Sequence, residues 1–370
     1  MILIHKQHLE TWYLNNFESK LLGRQILFTD IDPLINKLSS KFKKEQIGYS
    51  ENKIPIYKIS IGTGTTKILS WSQMHGNEST GTKALFDLFK LFENPSFDLE
   101  EVVNTILNNC TLQFILLLNP DGAIKFTREN ANNIDLNRDA VDKTAIESKL
   151  LRHHLDEFKP QFCFNLHDQR SIFNVEGTSN PATISFLAPS EDLERTLTKG
   201  RKETMSVIVA MNNLLQKYIP GHIGRYTDEF YPTATGDNFQ KLGYNTILIE
   251  AGHYKNDYDR EITRKFNFYA LVQGLYFIGA SKSFETYKPY FEIPNNDKMF
   301  LDIIYKNIEV IENNETKKTD VGIQFKFKVI NGKLVRYEAI EQIGDLSKYY
   351  SDNVVNAEKL NFNELKLSNS

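Results

Sequence analysis

The chain has 370 residues, 41% of them hydrophobic and 12% aromatic, enough apolar side chain to bury a large core and to exclude disorder as its dominant state. Its 44 basic and 47 acidic residues leave a formal net charge of −3. They are well mixed, so no single-signed field points to nucleic acid or to an anionic membrane, and a small or peptidic ligand is the better match.

The opening stretch, MILIHKQHLETWYLNNF, has too short an apolar run for a signal peptide or a membrane span, and a cytoplasmic protein is expected. From residue 9 to 42 apolar residues recur at helical spacing, predicting a leader of one or two helices with nothing catalytic in it. Residues 54–61 alternate as IPIYKISI, residues 67–71 read KILSW, and residues 111–118 read TLQFILLL, the continuous apolar run of a strand covered on both faces. Further strands are expected at 162–166, 183–187 and 246–249, with helical patterns at 82–92, 144–158, 191–217 and 260–278. This alternation predicts an α/β sandwich. Cys110 and Cys163 lie in apolar runs as small buried hydrophobes, and two cysteines make no disulfide framework.

After Pro294 the chain becomes richer in Asn, Lys and Glu, and QFKFKVINGKLVRYEAI reads as a hairpin turning at Asn331-Gly332. Two parts are therefore expected: residues 1–294 carrying the chemistry, and a small C-terminal β extension over 295–370 whose last Asn/Ser/Leu-rich segment frays.

In SWSQMHGNESTGTKAL, His75 and Glu78 occupy the turn between the KILSW strand and a helix starting near Thr80 or Gly81. A histidine nitrogen and a carboxylate three residues apart converge on one cation when the backbone curls between them, and Gly76 permits that curl. Alone, the pattern also describes a surface turn with a helix-capping Glu. His167 follows directly on the apolar strand QFCFNL. Two histidines and one carboxylate with an open fourth position make a catalytic rather than a structural zinc site. Such a site needs a nearby base, and Glu250 ends another strand in TILIEAGHY. All four residues fall at or just past strand C-termini, where open α/β sheets place their crevices.

The segments HGNE, NPDGAIKFTRENANNIDLNRD and LIEAG resemble those of the zinc metallocarboxypeptidase family, including its shorter cytosolic members. His-x-x-Glu, an Arg followed by Asp-x-Asn-Arg, a zinc His after a strand, and a Glu ending a strand occur in the family's order, spanning about residues 50–280. The resemblance implies a three-layer α/β sandwich with a mixed, mostly parallel sheet of about eight strands between helices. It also implies one zinc ion held by His75, Glu78 and His167, with Glu250 as general base. Arg128 corresponds to the residue that polarises the scissile carbonyl, and Asn137 and Arg138 to the pair that grips a terminal carboxylate. Asp135 corresponds to the carboxylate that orients the first zinc histidine; a helix or turn cap is the alternative. Tyr231, with Tyr226 as a competitor, corresponds to a mobile tyrosine that closes over substrate. Asp237 falls near the floor of the terminal side-chain pocket, where it would favour a basic residue; an exposed loop aspartate is the alternative.

The chain departs from the pancreatic-type enzymes at Asp168-Gln169-Arg170, where those enzymes carry small and aromatic residues, so substrate details do not transfer. Asp168 and Arg170 either add charge at the mouth or pair with each other. His253 is expected to support the site or face solvent rather than bind metal. The expected activity is zinc-dependent hydrolysis of an amide bond next to the free carboxylate of a peptide or peptide-like substrate, with no nucleic-acid or membrane partner. Peptidoglycan-fragment peptidase, N-acyl amino acid deacylase and a catalytically silent ligand-binding relative are the alternatives.

Overall fold

The computed structural model describes residues 2–312 and 315–358. The leader folds as α1 (Lys6–Asn16) and α2 (Phe28–Lys37), joined by an irregular stretch. An edge strand not foreshadowed by any apolar alternation, β1 (Lys43–Tyr49), pairs antiparallel with β2 (Pro55–Ile61). Its sequence KKEQIGY is mostly polar because an edge strand buries little. Then come β3 (Thr66–Ser72), α3 (Thr80–Glu93), α4 (Phe97–Asn109), β4 (Cys110–Leu116), the short α5 (Pro120–Lys125), α6 (Ile146–Phe158) and β5 (Phe162–Asp168). Helix α4 was missing from the expected elements, although it buries Leu99, Val102, Val103 and Ile106 at helical spacing and carries Asp98 and Glu100 in its first turn.

The chain continues through β6 (Asn174–Val175), β7 (Ile184–Leu187), α7 (Lys199–Leu215), β8 (Ile223–Arg225), α8 (Thr235–Lys241), β9 (Asn245–Ala251) and α9 (Glu261–Ala280). The helix expected from residue 191 starts only at Lys199, where the Thr198 hydroxyl accepts the Arg201 N–H at 3.1 Å and caps it. After β10 (Asn296–Asp297), β11 (Ile303–Glu312), β12 (Glu315–Ile330), β13 (Lys333–Gly344) and β14 (Val354–Asn356) form a separate sheet in the order β13-β12-β11-β14. The expected hairpin is present: Asn331 and Gly332 both take positive φ, 50° and 74°, as a two-residue turn of this hand requires. Residues 359–370, expected to fray, lie outside the described residues.

Among the described residues, eight strands make the main sheet in the order β1-β2-β4-β3-β5-β9-β7-β8. The central four, β4-β3-β5-β9, are parallel, and antiparallel strands flank them. Strand order reverses at β3, because β4 lies on one side of it and β5 on the other. A crevice therefore opens between the C-terminal ends of β3 and β5.

Side-chain alternation divides the core between the two faces. Ile68, Leu112, Phe114, Phe162, Phe164 and Leu166 face the cluster shared with α1, α3, α4, α7 and α9. Leu69, Trp71, Ile115 and Cys163 face a smaller cluster with Leu151, Leu155 and Phe239 from α6 and α8. Cys110 and Cys163 are buried and unpaired, as expected. Among the described residues no helix is long and apolar enough to cross a membrane.

Helix α9 is buried on nearly every side, packed against α3, α4 and α7, which explains why it is apolar all round. It also buries Arg264, whose Nε and Nη2 donate to the two carboxylate oxygens of Asp87 on α3 at 2.7 and 2.6 Å. A bidentate pair of this kind satisfies both charges away from water, whereas removing one partner strands the other. Arg264→Leu is expected to destabilise the fold by about 3–5 kcal/mol in urea unfolding, and a loss under about 1 kcal/mol would show that Asp87 finds another partner.

Candidate metal centre and substrate cavity

The turn after β3 is fixed before it reaches the site. Gln73, at φ 53°, donates through Nε2 to the carbonyls of Ile26 and Gly76 and accepts from the Thr82 hydroxyl. Gly76 matters for a reason other than the one anticipated. Its φ is not positive; instead a Cβ there would stand 2.0 Å from the Gly122 carbonyl carbon, so only glycine lets the turn lie against α5. The Glu78 N–H then donates to the His75 carbonyl at 3.1 Å, and α3 begins at Thr80, as the sequence predicts.

This turn presents His75 and Glu78 to His167 on β5. The Glu78 carboxylate reaches His75 Nδ1 with Oε1 at 2.7 Å and His167 Nδ1 with Oε2 at 2.8 Å. The two Nδ1 atoms are 3.2 Å apart. His75 is turned this way by Asp135, whose Oδ1 lies 3.0 Å from Nε2. The other Asp135 oxygen accepts Arg128 Nε at 2.9 Å, and Arg128 Nη1 stands 3.1 Å from His75 Nδ1.

Burial by itself lowers the pKa of both histidines. Glu78 and Asp135 outweigh it at His75, which ends up raised, while His167 stays lowered. Burial likewise raises Glu78, but the two histidines hold its carboxyl well below the usual range. Two inward-facing imidazole nitrogens and a carboxylate, all within 4.8 Å of one another and buried, fit a zinc ion by donor type. Among the described residues this is the cluster with that capacity.

Glu250 lies beside this centre because β5 and β9 run parallel with His167 and Glu250 as register partners. Burial, then the Glu78 and Asp168 carboxylates, push its carboxyl well above the usual range. The cavity they share has a volume of about 660 Å³ and is also lined by Arg128, Asn137, Arg138, Tyr231 and Asp237. Asn137 Oδ1 accepts the Thr235 N–H at 3.0 Å, tying the wall that bears Arg138 to the start of α8. Asp237 is buried rather than an exposed loop residue. Its Oδ1 accepts the Tyr231 N–H at 3.1 Å, and burial pushes its carboxyl up to about 6. Tyr231 is 49% exposed, with its hydroxyl donating to Glu229 at 3.0 Å. Tyr226 also lines the cavity but packs edge-on against Phe173.

Asp168 and Arg170 do not pair with each other. Asp168 takes the Thr80 hydroxyl at 2.8 Å and the Arg260 guanidinium at 3.2 Å, while Arg170 reaches Glu341 on β13 at 2.7 Å. His253 is buried against Tyr258 and Phe300, and its pKa falls to about 3 through burial and the nearby Arg260 and Arg24 charges.

Sequence reasoning missed Arg24 from the leader, and Phe325, Lys326, Phe327 and Tyr337 from the C-terminal sheet, all of which line the cavity. The alternation QFKFKV marks a strand, but nothing local to it says that the strand lies over this cavity.

The zinc carboxypeptidase family matches residues 29–218, just over half of the chain. The chain belongs to the zinc carboxypeptidase family. That match contains His75, Glu78, Arg128, Asp135, Asn137, Arg138 and His167; Glu250 lies beyond it. A curated relative, carboxypeptidase SOL1 of Arabidopsis thaliana, is 26% identical over 171 residues, 41% of this chain and 35% of that protein. The chain thus spans about a third of that relative's length.

Solved structures agree on the fold. A metallo-carboxypeptidase from Burkholderia cenocepacia matches with a TM-score of 0.54 at 15% identity, over 67% of this chain and 66% of that one. Carboxypeptidase A from Helicoverpa armigera matches with a TM-score of 0.54 at 15% identity, over 75% of this chain and 80% of that one. The mostly parallel eight-stranded sheet between helices is therefore the carboxypeptidase fold.

A histidine that ligates a metal is oriented by the hydrogen bond on its other ring nitrogen, here the Asp135 carboxylate on His75 Nε2. Asp135→Ala is expected to weaken zinc binding by about 10- to 100-fold in competition with a chromophoric chelator. An affinity within about twofold of the parent would remove Asp135 from that role.

Proposed function

We propose that the chain is a metallocarboxypeptidase that hydrolyses an amide bond next to a free C-terminal carboxylate. The observation that carries the proposal is the convergence of a His75–Glu78–His167 cluster, the neighbouring Glu250, and Arg128 and Arg138 on one cavity.

One zinc ion on His75 Nδ1, Glu78 and His167 Nδ1 would supply the Lewis acidity that makes water acidic near neutral pH. The Glu250 carboxylate accepts a proton from the attacking water and returns it to the leaving amine nitrogen. The guanidinium of Arg128, already at the edge of the cluster, donates to the carbonyl oxygen as negative charge builds there. Arg138, with Asn137 beside it, holds the terminal carboxylate and so fixes which amide bond lies over the centre. Tyr231, exposed at the rim, closes over the bound chain end, whereas Tyr226 is already packed in the wall. Asp237 faces the terminal side chain.

We assign residues 1–294 to the catalytic unit and the following strands to an extension that narrows its mouth. A peptidoglycan-fragment peptidase or a deacylase of N-acyl amino acids would use the same grip, and identifying the products from a mixed substrate panel separates them.

Glu250→Gln is expected to keep zinc bound while lowering kcat by at least about 100-fold; substantial turnover in the zinc-loaded variant would sink the base assignment. Arg138→Ala should raise KM for peptides with a free carboxylate while sparing kcat more, and an unchanged KM would remove Arg138 from the grip. The Asp237 carboxyl ionises as pH rises through about 6. Preference for Lys or Arg over Leu at the substrate terminus should therefore increase between pH 5 and 7.5. A ratio of kcat/KM values that is flat over that range would exclude Asp237 as the discriminating charge.

A further inference from the structure

The leader segment holding Arg24 is strapped to the metal centre rather than loosely laid over it. The Ser79 hydroxyl, one residue from Glu78, donates to the Arg24 carbonyl at 2.6 Å. On either side, the Gly23 N–H donates to Glu261 at 2.9 Å and Gln25 Nε2 donates to the Ala123 carbonyl at 3.0 Å. The backbone at this position is thus fixed from three directions.

The guanidinium itself faces the cavity and has no carboxylate partner among the described residues. It lies 5.0 Å from the ring centre of Phe327 on β12, and its Nε is buried with no hydrogen-bond acceptor. Of the nearby acids, Asp168 meets Arg260 and Thr80 through Oδ2 and Glu78 meets the two histidines, while Asp259 acts on Arg24 without forming an ion pair with it. Burial and the Arg260 charge accordingly lower the Arg24 pKa to about 9. Phe126 packs beside Phe327 at 6.0 Å, and Lys326, next to Phe327 on β12, adds a further cation to the same cavity. Arg138 stands on another wall, close enough to Tyr231 and Asp237 to affect both.

A half-buried guanidinium on an anchored segment, backed by an aromatic ring and with its Nε donor unmet, is suited to receive an anion. We propose that Arg24, backed by Phe327, forms a subsite for a carboxylate on the amino side of the scissile bond, so that the enzyme prefers peptides with an acidic residue upstream of the one it removes. The inference rests on the carboxypeptidase reading above, because Arg138 must hold the terminal carboxylate for Arg24 to meet an upstream one.

The test compares N-acetylated tripeptides with a constant terminal residue and either Glu or Gln at each of the two upstream positions. The zinc-loaded wild type is expected to show kcat/KM about tenfold higher for Glu at one of these positions. Arg24→Gln should bring that ratio to about one while changing the Gln peptide by less than about twofold. Equal rates on Glu and Gln peptides in the wild type overturn the proposal without any variant. An equal fall on both peptides in Arg24→Gln, with an unchanged melting curve, overturns it as well. No turnover of any peptide sinks the carboxypeptidase reading instead. Calorimetric binding of the same peptides to zinc-loaded protein then decides the subsite, with tighter binding of the Glu peptide expected and equal binding overturning it.

Discussion

Parallel pairing of β5 with β9 is the constraint on which the site depends. It sets His167 and Glu250 side by side, each at the end of its strand. A slip of one residue in either strand would send one of them to the opposite face, because side chains alternate along a strand. The apolar partition of the two faces holds the register: Phe162, Phe164 and Leu166 cannot leave the larger cluster without exposing it. Core packing and the geometry of the candidate site are thus enforced by the same alternation. The reversal of strand order at β3 supplies the rest, since it opens the space that His75 enters from one side and His167 from the other.

Around this frame the charges are arranged in linked pairs. Asp135 holds His75 with one oxygen and Arg128 with the other, so the inward aim of an imidazole and the position of a guanidinium share one anchor. Arg260 neutralises Asp168 beside the metal centre and leaves Glu78 to the histidines. The same spacing leaves Glu250 near the Glu78 and Asp168 carboxylates, which add to burial in pushing its carboxyl above the usual range.

Much of this was legible in the sequence where a local pattern reports a local structure. Continuous apolar runs gave the buried parallel strands, Asn331-Gly332 gave the hairpin, and the position of His75, Glu78, His167 and Glu250 at strand ends placed them near one another. Polar β1 was not legible, because an edge strand needs no apolar alternation. The start of α7 was misplaced because its cap, Thr198, follows a stretch that carries apolar residues without forming helix. The fate of Asp168 and Arg170 was beyond reach, since their partners Arg260 and Glu341 lie far along the chain. Arg24 escaped for the same reason: a lone arginine in a leader acquires meaning only from the strand that folds over it.

That last contact has a consequence for the order of events in folding. Arg24 comes from the leader and Phe327 from the C-terminal sheet, near opposite ends of the described chain, and their stacking closes one wall of the cavity. Closing a loop over so long a span costs more chain entropy than forming the local and parallel-strand contacts of the central sheet, which favours its coming after them. During synthesis, His75, Glu78, His167 and Glu250 leave the ribosome well before β12 does. A nascent chain can therefore bring His75, Glu78, His167 and Glu250 together before Arg24 and Phe327 complete this wall of the cavity.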